Sequence, residues 1–400
     1  MLTKILKRKK TVIAAILLLA AALLLTPPRQ SWKSGETTVT LSGDRTTYKI
    51  SGKGAMEDYE IPGWWGGAPP YIWTKTPVVS SIVSLIFGYA YRFEVMDINI
   101  ENEVISRFPG LVSVLTESTV TDLVIGKGVT HIGNWAFYQF DRLTSLTIPG
   151  NVESIGFCAF AQCDNLTSVT FEEGVKSING FLGCTRLTSV TIPNSVDTIE
   201  SLSRRYGAFF GCTGLTSVTV AADNPRYSSE DGVVFDKNKT ALLWYPQGRQ
   251  GAYTIPSGVI IIKDGAFSGE NVDYFHEGML ESSGRTRLTS ITIPGSVASI
   301  EGAAFDDCVN LTSIAVAADN ARYSSEDGIL FNKDKTVLIR YPPSRQDTAY
   351  TIPNGVTSIG DRAFYSCGNL TSVTIPNSVT SIDEYAFSHC VKPVSAAAIK

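Results

Sequence analysis

Apolar residues recur along most of this chain with a period near 23, far longer than the 3.6 of a helix or the 2 of a plain strand. In LTSLTIPGNVESIGFCAFAQC they fall at Leu143, Leu146, Ile148, Val152, Ile155, Phe160 and Cys163. Leu146 and Ile148 alternate with Ser145 and Thr147, which predicts a short strand with its apolar side inward and its hydroxyls outward. Pro149 has no N–H to give and stops it. Leu-Thr opens a unit at Leu143, Leu166, Leu187, Leu215, Leu288, Leu311 and Leu370. TIPSGV at 254–259, TIPNGV at 351–356 and the stretch 123–140 restart the same text, giving about ten units. Asn165, Asn310 and Asn369, each just before its leucine, predict a turn residue with φ above zero.

One such unit has too few apolar side chains to fold alone, so units must stack, pair their strands into a parallel sheet and be capped at the ends. The chain from about 120 to 390 is expected to form one array. Six cysteines, Cys163, Cys184, Cys212, Cys308, Cys367 and Cys390, end one five-residue word, seen as AFAQC, GFLGC, AFFGC, AFDDC, AFYSC and AFSHC. Side chains repeating at one point of an array lie parallel, about 4.8 Å apart, a poor geometry for bridging. In AFYQF, Phe140 takes the cysteine's place, and no CxxC occurs. These residues, with Cys158 apart from them, read as core thiols that form neither disulfides nor a metal site.

LTSVTIPNSVTSI with AFxxC resembles the bacterial surface-antigen leucine-rich repeats of the BspA-like type, from about residue 120 to 390. Thr38 to Tyr59 is similar to that family's amino-terminal cap, and Val120 to Gly133 to the unit that follows it. Here about fifty residues intervene, including Trp73 and the apolar stretch Val78 to Tyr91. The resemblance implies a repeat solenoid: a right-handed leucine-rich-repeat superhelix with a parallel β-sheet, short strands and short helical turns, displayed outside a bacterial cell for adhesion and protein binding, without catalysis.

The amino terminus agrees with export. Lys4, Lys7, Arg8, Lys9 and Lys10 precede an uncharged run from Thr11 to Leu25 and the breaker Pro27-Pro28, the pattern of a secretion signal. Residues 11–25 would anchor the chain to a membrane if left uncleaved, and no cysteine precedes Cys158 to carry a lipid. The expected organisation is a signal peptide or anchor at 1–30, a capping region with its insert at 31–119, the repeat domain at 120–392 and a tail at 393–400. With 44% hydrophobic residues the chain has a core to bury. A net charge of −4 offers no basic field for nucleic acid.

Catalytic chemistry finds little support. There are three histidines, His131, His276 and His389, and no GxSxG nucleophile turn. Gly126-Lys127-Gly128 precedes a strand, unlike a phosphate loop. Asp236–Lys239 and Asn332–Lys335 lack the Gly and Glu of a calcium loop and predict hairpin turns. The NLT sequons at 165, 310 and 369 are the repeat's own turns. Trp32, Trp64, Trp65 and Trp73 crowd the region before the repeats, where they serve packing or the stacking of sugars. No catalytic, cofactor or metal site is expected, and the chain is read as no enzyme.

Two units carry matching elaborations, VAADNPRYSSEDGVVFDKNKTALLWYPQ from Val220 and VAADNARYSSEDGILFNKDKTVLIRYPP from Val316, each predicted to project as a hairpin. Tyr227, Phe235 and Tyr245 match Tyr323, Phe331 and Tyr341 and are expected to pack. Trp244 stands opposite Arg340, and a position that takes both an indole and a guanidinium is expected to face solvent and contact a ligand. Ser145, Thr147, Thr191, Thr292 and Thr374 are the secondary candidates. The function expected is an exported, cell-surface scaffold for adhesion to host or neighbouring cells through an extracellular or host-matrix protein. The alternatives are a carbohydrate- or ordered-surface-binding solenoid, or an enzyme hidden in the 60–120 insert.

Overall fold

The computed structural model describes residues 30–34, 37–41, 47–56, 121–200, 207–268, 286–390 and 395–397, apart from 135, 139 and 307. The signal or anchor at 1–29, the stretch 57–120 and His276 lie outside the described residues. Among those described, no helix is long and apolar enough to cross a membrane.

Each repeat contributes two strands. The first has the alternation its sequence predicts: in Ser145–Ile148, Ser168–Phe171 and Ser189–Ile192 the hydroxyl residues are exposed and the aliphatic or Phe side chains buried. These strands pair in parallel and in register, Thr147 beside Thr170, Thr170 beside Thr191, and Thr191 beside Thr219 of Ser217–Val220. A second, two-residue strand such as Ser154–Ile155 was not foreseen, because two residues are too few to show a period. It builds a separate parallel sheet with Val129–Ile132, Ser177–Ile178 and Thr198–Ile199. Before the repeats, Gln30–Ser34, Thr37–Leu41 and Thr47–Gly52 form an antiparallel meander whose last strand pairs in parallel with Asp122–Ile125. Gly54–Ala55 likewise joins the second sheet beside Val129–Ile132. Thr47 to Ala55 therefore supplies a rung of its own, on which the repeats build.

The AFxxC words are turns, contrary to the short helical turns expected. Alternate N–H groups go to the next unit, Phe160 N to Gly180 O at 2.7 Å and Gln162 N to Leu182 O at 2.7 Å, while those between turn back three residues, as Ala161 N does to Cys158 O at 3.1 Å. With those donors taken, the i to i−4 ladder of a helix cannot form. The residue before the cysteine adopts positive φ at Gln162, Gly183, Gly211, Ser366 and His389. Asn165, Asn310 and Asn369 do not, which corrects the turn assignment. Their side-chain amides instead reach back one unit, donating to the carbonyls of Asp141, Thr286 and Arg345.

The core is a stack of like on like. The rings of Phe137, Phe160, Phe181, Phe209 and Trp244 lie in one column, with centroids 5.2 to 6.0 Å apart and planes within 20°. Beside the column run the thiols, each donating to the carbonyl of the aromatic residue one unit back: Cys163 to Phe137 at 3.3 Å, Cys184 to Phe160 at 3.2 Å, Cys212 to Phe181 at 3.1 Å. All seven cysteines are free. Burial pushes the Cys158, Cys163, Cys212 and Cys367 thiols up, which keeps them protonated and poorly reactive.

The elaborations do not project. Tyr227–Glu230, Val233–Asp236 and Ala241–Trp244 form an antiparallel meander whose last strand pairs in parallel with Ile261–Ile262, so it opens a new five-stranded sheet. Tyr323–Glu326, Ile329–Asn332 and Val337–Arg340 do the same before Ser358–Ile359. The middle strand is buried on both faces: Val234 joins the core on the amino-terminal side, Val233 and Phe235 the core on the other. Each elaboration is thus a septum between core segments, and its consecutive apolar residues follow from burial on two sides. Asn224 and Asn320 lock the entry, each giving two amide bonds to the preceding unit and accepting two backbone N–H groups from its own. Tyr227 and Tyr323 place their hydroxyls on the Ile199 and Ile300 N–H groups, satisfying donors of the last strand in the preceding sheet. The turn at Asp236–Lys239 closes as expected, with Asp236 accepting from Thr240 and Ala241.

Candidate binding surface

Trp244 and Arg340 are not on the surface. They are 3% and 4% exposed, which corrects the expectation that they face solvent. Each points from its septum into the preceding core segment. Trp244 closes the aromatic column on Phe209 at 6.0 Å. Arg340 meets Phe305, the counterpart of Phe209, donating from Nη2 to the Phe305 carbonyl at 2.9 Å and from Nη1 to the Arg362 carbonyl at 2.7 Å. The indole stacks on an aromatic ring there, and the guanidinium is buried with a charged partner. Phe210 in AFFGC becomes Asp306 in AFDDC, and buried Asp306 lies 3.7 Å from Arg340 and 2.6 Å from Arg362.

The exposed face belongs to the first strands. Ser145, Thr147, Thr191, Thr292 and Thr374 are all exposed there, but not on one sheet. Ser145, Thr147 and Thr191 share a four-stranded sheet, in which two hydroxyl rows run Ser145-Ser168-Ser189-Ser217 and Thr147-Thr170-Thr191-Thr219. Thr292 lies on the sheet of Gln250–Thr254, Arg287–Ile293 and Ser313–Val316, and Thr374 on that of Ala349–Thr351, Ser372–Thr374 and Ser395–Ala397. Between sheets the septum reaches the surface as a tight turn: Val218 N donates to Gly232 O at 3.0 Å and Ile314 N to Gly328 O at 2.8 Å.

Beside each turn sits a polar and aromatic cluster built from residues that the two copies share, not from those in which they differ. Arg249 lies over the rings of Tyr245 and Tyr253, at 5.5 and 6.0 Å, and Arg345 over Tyr341 at 5.5 Å. The signal was available in the sequence, since arginine and both tyrosines stand in both copies. Among the described residues no three His, Cys, Asp or Glu side chains converge to hold a metal ion.

Two neighbouring units carry an acidic pair. Asp141 and Asp164 follow Phe140 and Cys163, at equivalent points of successive units. Loss of hydration against the neighbouring rungs, then the Asp164 charge, pushes the Asp141 carboxyl up to about 6. A folded value above the unfolded one favours the fold below the unfolded pKa of about 3.9, and that favour is lost as pH rises through about 6. Asp141→Asn is expected to leave the melting temperature unchanged at pH 4 and to raise it modestly at pH 7.5, modestly because the residue reaches solvent. Equal shifts at the two pH values in circular dichroism melts would remove the charge argument.

Parallel strands stacked unit on unit, leucines and phenylalanines facing one core and hydroxyls facing out, define a leucine-rich-repeat solenoid. The BspA type leucine rich repeat region matches in six copies, over residues 113–230, 281–328 and 345–398. The chain belongs to that family. Between the matches, 231–280 and 329–344 hold most of each septum, where the repeat text gives way to the meander. Solved structures similar to the chain include a leucine-rich repeat protein from Eubacterium ventriosum (20% identity, TM-score 0.48, covering 90% of this chain and 95% of that one). A leucine rich cell surface protein from Faecalibacterium prausnitzii is similar too (22% identity, TM-score 0.42, 90% and 92%), as is the pneumococcal vaccine antigen PcpA (17% identity, TM-score 0.45, 89% and 86%). No curated protein matches the chain significantly in sequence.

Proposed function

We propose that the chain is an exported, cell-surface scaffold that binds protein ligands and mediates adhesion to host or neighbouring cells, without catalysis. The hydroxyl face of the first sheet carries this reading. Its two rows, Ser145 to Ser217 and Thr147 to Thr219, offer donors and acceptors that no intramolecular role accounts for, held about 4.8 Å apart by strand pairing. Family membership supports a role as a repeat scaffold, and the charged, apolar-run amino terminus supports export. Each hydroxyl contributes little alone, so binding here would be spread over many rungs rather than concentrated in one hot spot.

Residues 31–400, immobilised and exposed to candidate matrix proteins and neighbouring bacterial surfaces, would identify the partner. The triple variant Thr147→Lys, Thr170→Lys, Thr191→Lys places three long charges on one row while leaving the buried face untouched. It is expected to weaken binding of that partner by at least about tenfold, the effect of about 1.4 kcal/mol, with the melting temperature held. Undiminished affinity would move the contact off this sheet.

A further inference from the structure

The two septa are built alike, yet they treat one arginine differently. In the second copy Arg345 donates from Nε to Asp347 Oδ2 at 2.7 Å, and the Tyr341 hydroxyl donates to the same oxygen at 2.8 Å. Those two donors hold the Asp347 carboxyl below the usual carboxylate range. The first copy keeps the donors, Arg249 and Tyr245, but not the acceptor. Between Arg249 and Ala252 it reads Gln250-Gly251, where the second copy reads Gln346-Asp347-Thr348 between Arg345 and Ala349. Gly251 has φ +91° and no atom within 4 Å of where a side chain would begin, so nothing of the chain fills that place and no carboxylate stands in it.

Two further observations mark the spot. Tyr253, whose ring lies under the Arg249 guanidinium, is 7% exposed, and its hydroxyl is buried without a hydrogen-bond partner. A buried hydroxyl left unpaired is costly, and a ligand that supplies an acceptor relieves it. Arg249 itself is held in place by Asp231, Nη1 on its carbonyl and Nη2 on its carboxylate at 2.7 Å. That carboxylate belongs to a side chain 76% exposed, so it orients the guanidinium without enclosing it.

We propose that Tyr245, Arg249 and Tyr253, with the strand bulge at Gly251, form a binding site for a carboxylate supplied by a ligand, the group that Asp347 supplies from within the chain in the second copy. A carboxylate suits these donors because it is planar, anionic and able to accept from a guanidinium edge and a phenol at once. Its source would be an acidic side chain of a protein or an acidic sugar. The site stands whether or not the hydroxyl rows bind a protein, since it rests on the comparison of the two septa alone.

Calorimetric titration of the full chain with an acetylated tetraglutamate amide, and separately with trigalacturonate, tests it and separates the two sources. Wild type is expected to bind at least one probe at a single site. Arg249→Gln should weaken that binding at least about tenfold. Asp347→Gly should open the second septum and double the stoichiometry. Replacing Gln250-Gly251 by Gln-Asp-Thr should install an internal carboxylate, abolish binding and raise the melting temperature, which keeps the test decisive if Arg249→Gln folds poorly. No binding of either probe by wild type, or binding that survives both Arg249→Gln and the transplanted loop, would overturn the assignment.

Discussion

Trp244→Ala is expected to destabilise the folded chain by about 3–5 kcal/mol, the range for deleting a large aromatic side chain from a packed core. The indole ends the column that begins at Phe137 and seals the first core segment against the septum. Removing it leaves Phe209 facing a cavity lined by apolar groups, which stays dry and forfeits their contacts. The loss should fall on that segment first, because a stacked array is held by nearest-neighbour interfaces. Circular dichroism melts beside an exposed control on the same septum, Lys237→Ala, would read it. A melting temperature equal to the control's would return Trp244 to the surface, where its pairing with Arg340 in the sequence comparison had placed it.

The second large effect is a coupling. Asp306 and Arg340 are both buried, and Arg362 adds a second cation to the carboxylate from a more exposed position. Breaking such a pair from one side strands a charge, at a cost of about 3–5 kcal/mol, whereas replacing both members by well-packed apolar groups is commonly neutral or stabilising. The first copy carries buried apolar residues at the equivalent places, Phe210 and Trp244. Asp306→Phe and Arg340→Trp are each expected to lower stability severely, and the double variant to recover it to near the wild-type value. Urea unfolding of the four proteins gives the coupling energy directly. Additive losses in the double variant would show that the two positions do not act as a pair.

Much of the repeat architecture was legible because it is local. Leu146, Ile148, Val152, Ile155, Phe160 and Cys163 recur at fixed spacing, and all are buried. Ser145 and Thr147 are exposed as their alternation requires, since successive side chains of a strand leave opposite faces. The six repeating cysteines stack as thiols for the reason their common position implied. What was illegible depends on the next unit. The AFxxC word gives alternate N–H groups to a neighbour, so its own composition could not decide between helix and turn. The asparagines before each leucine fit a left-handed turn by residue type, but their amides are claimed by carbonyls one unit away.

The candidate site divides the same way. From the sequence alone follow the family of the fold, the hydroxyl rows, the existence of two matched elaborations and the pairing of Tyr245, Phe235 and Tyr227 with their counterparts. Only the tertiary structure turns Trp244 and Arg340 inward, places Arg249 over two tyrosines and brings Asp347 to both Arg345 and Tyr341. The physical reason is that alternation along a strand says which residues share a face but not what covers it. The septum strands are covered on both faces, so a position whose residue type varies there is tuned to a varying neighbour rather than freed by solvent.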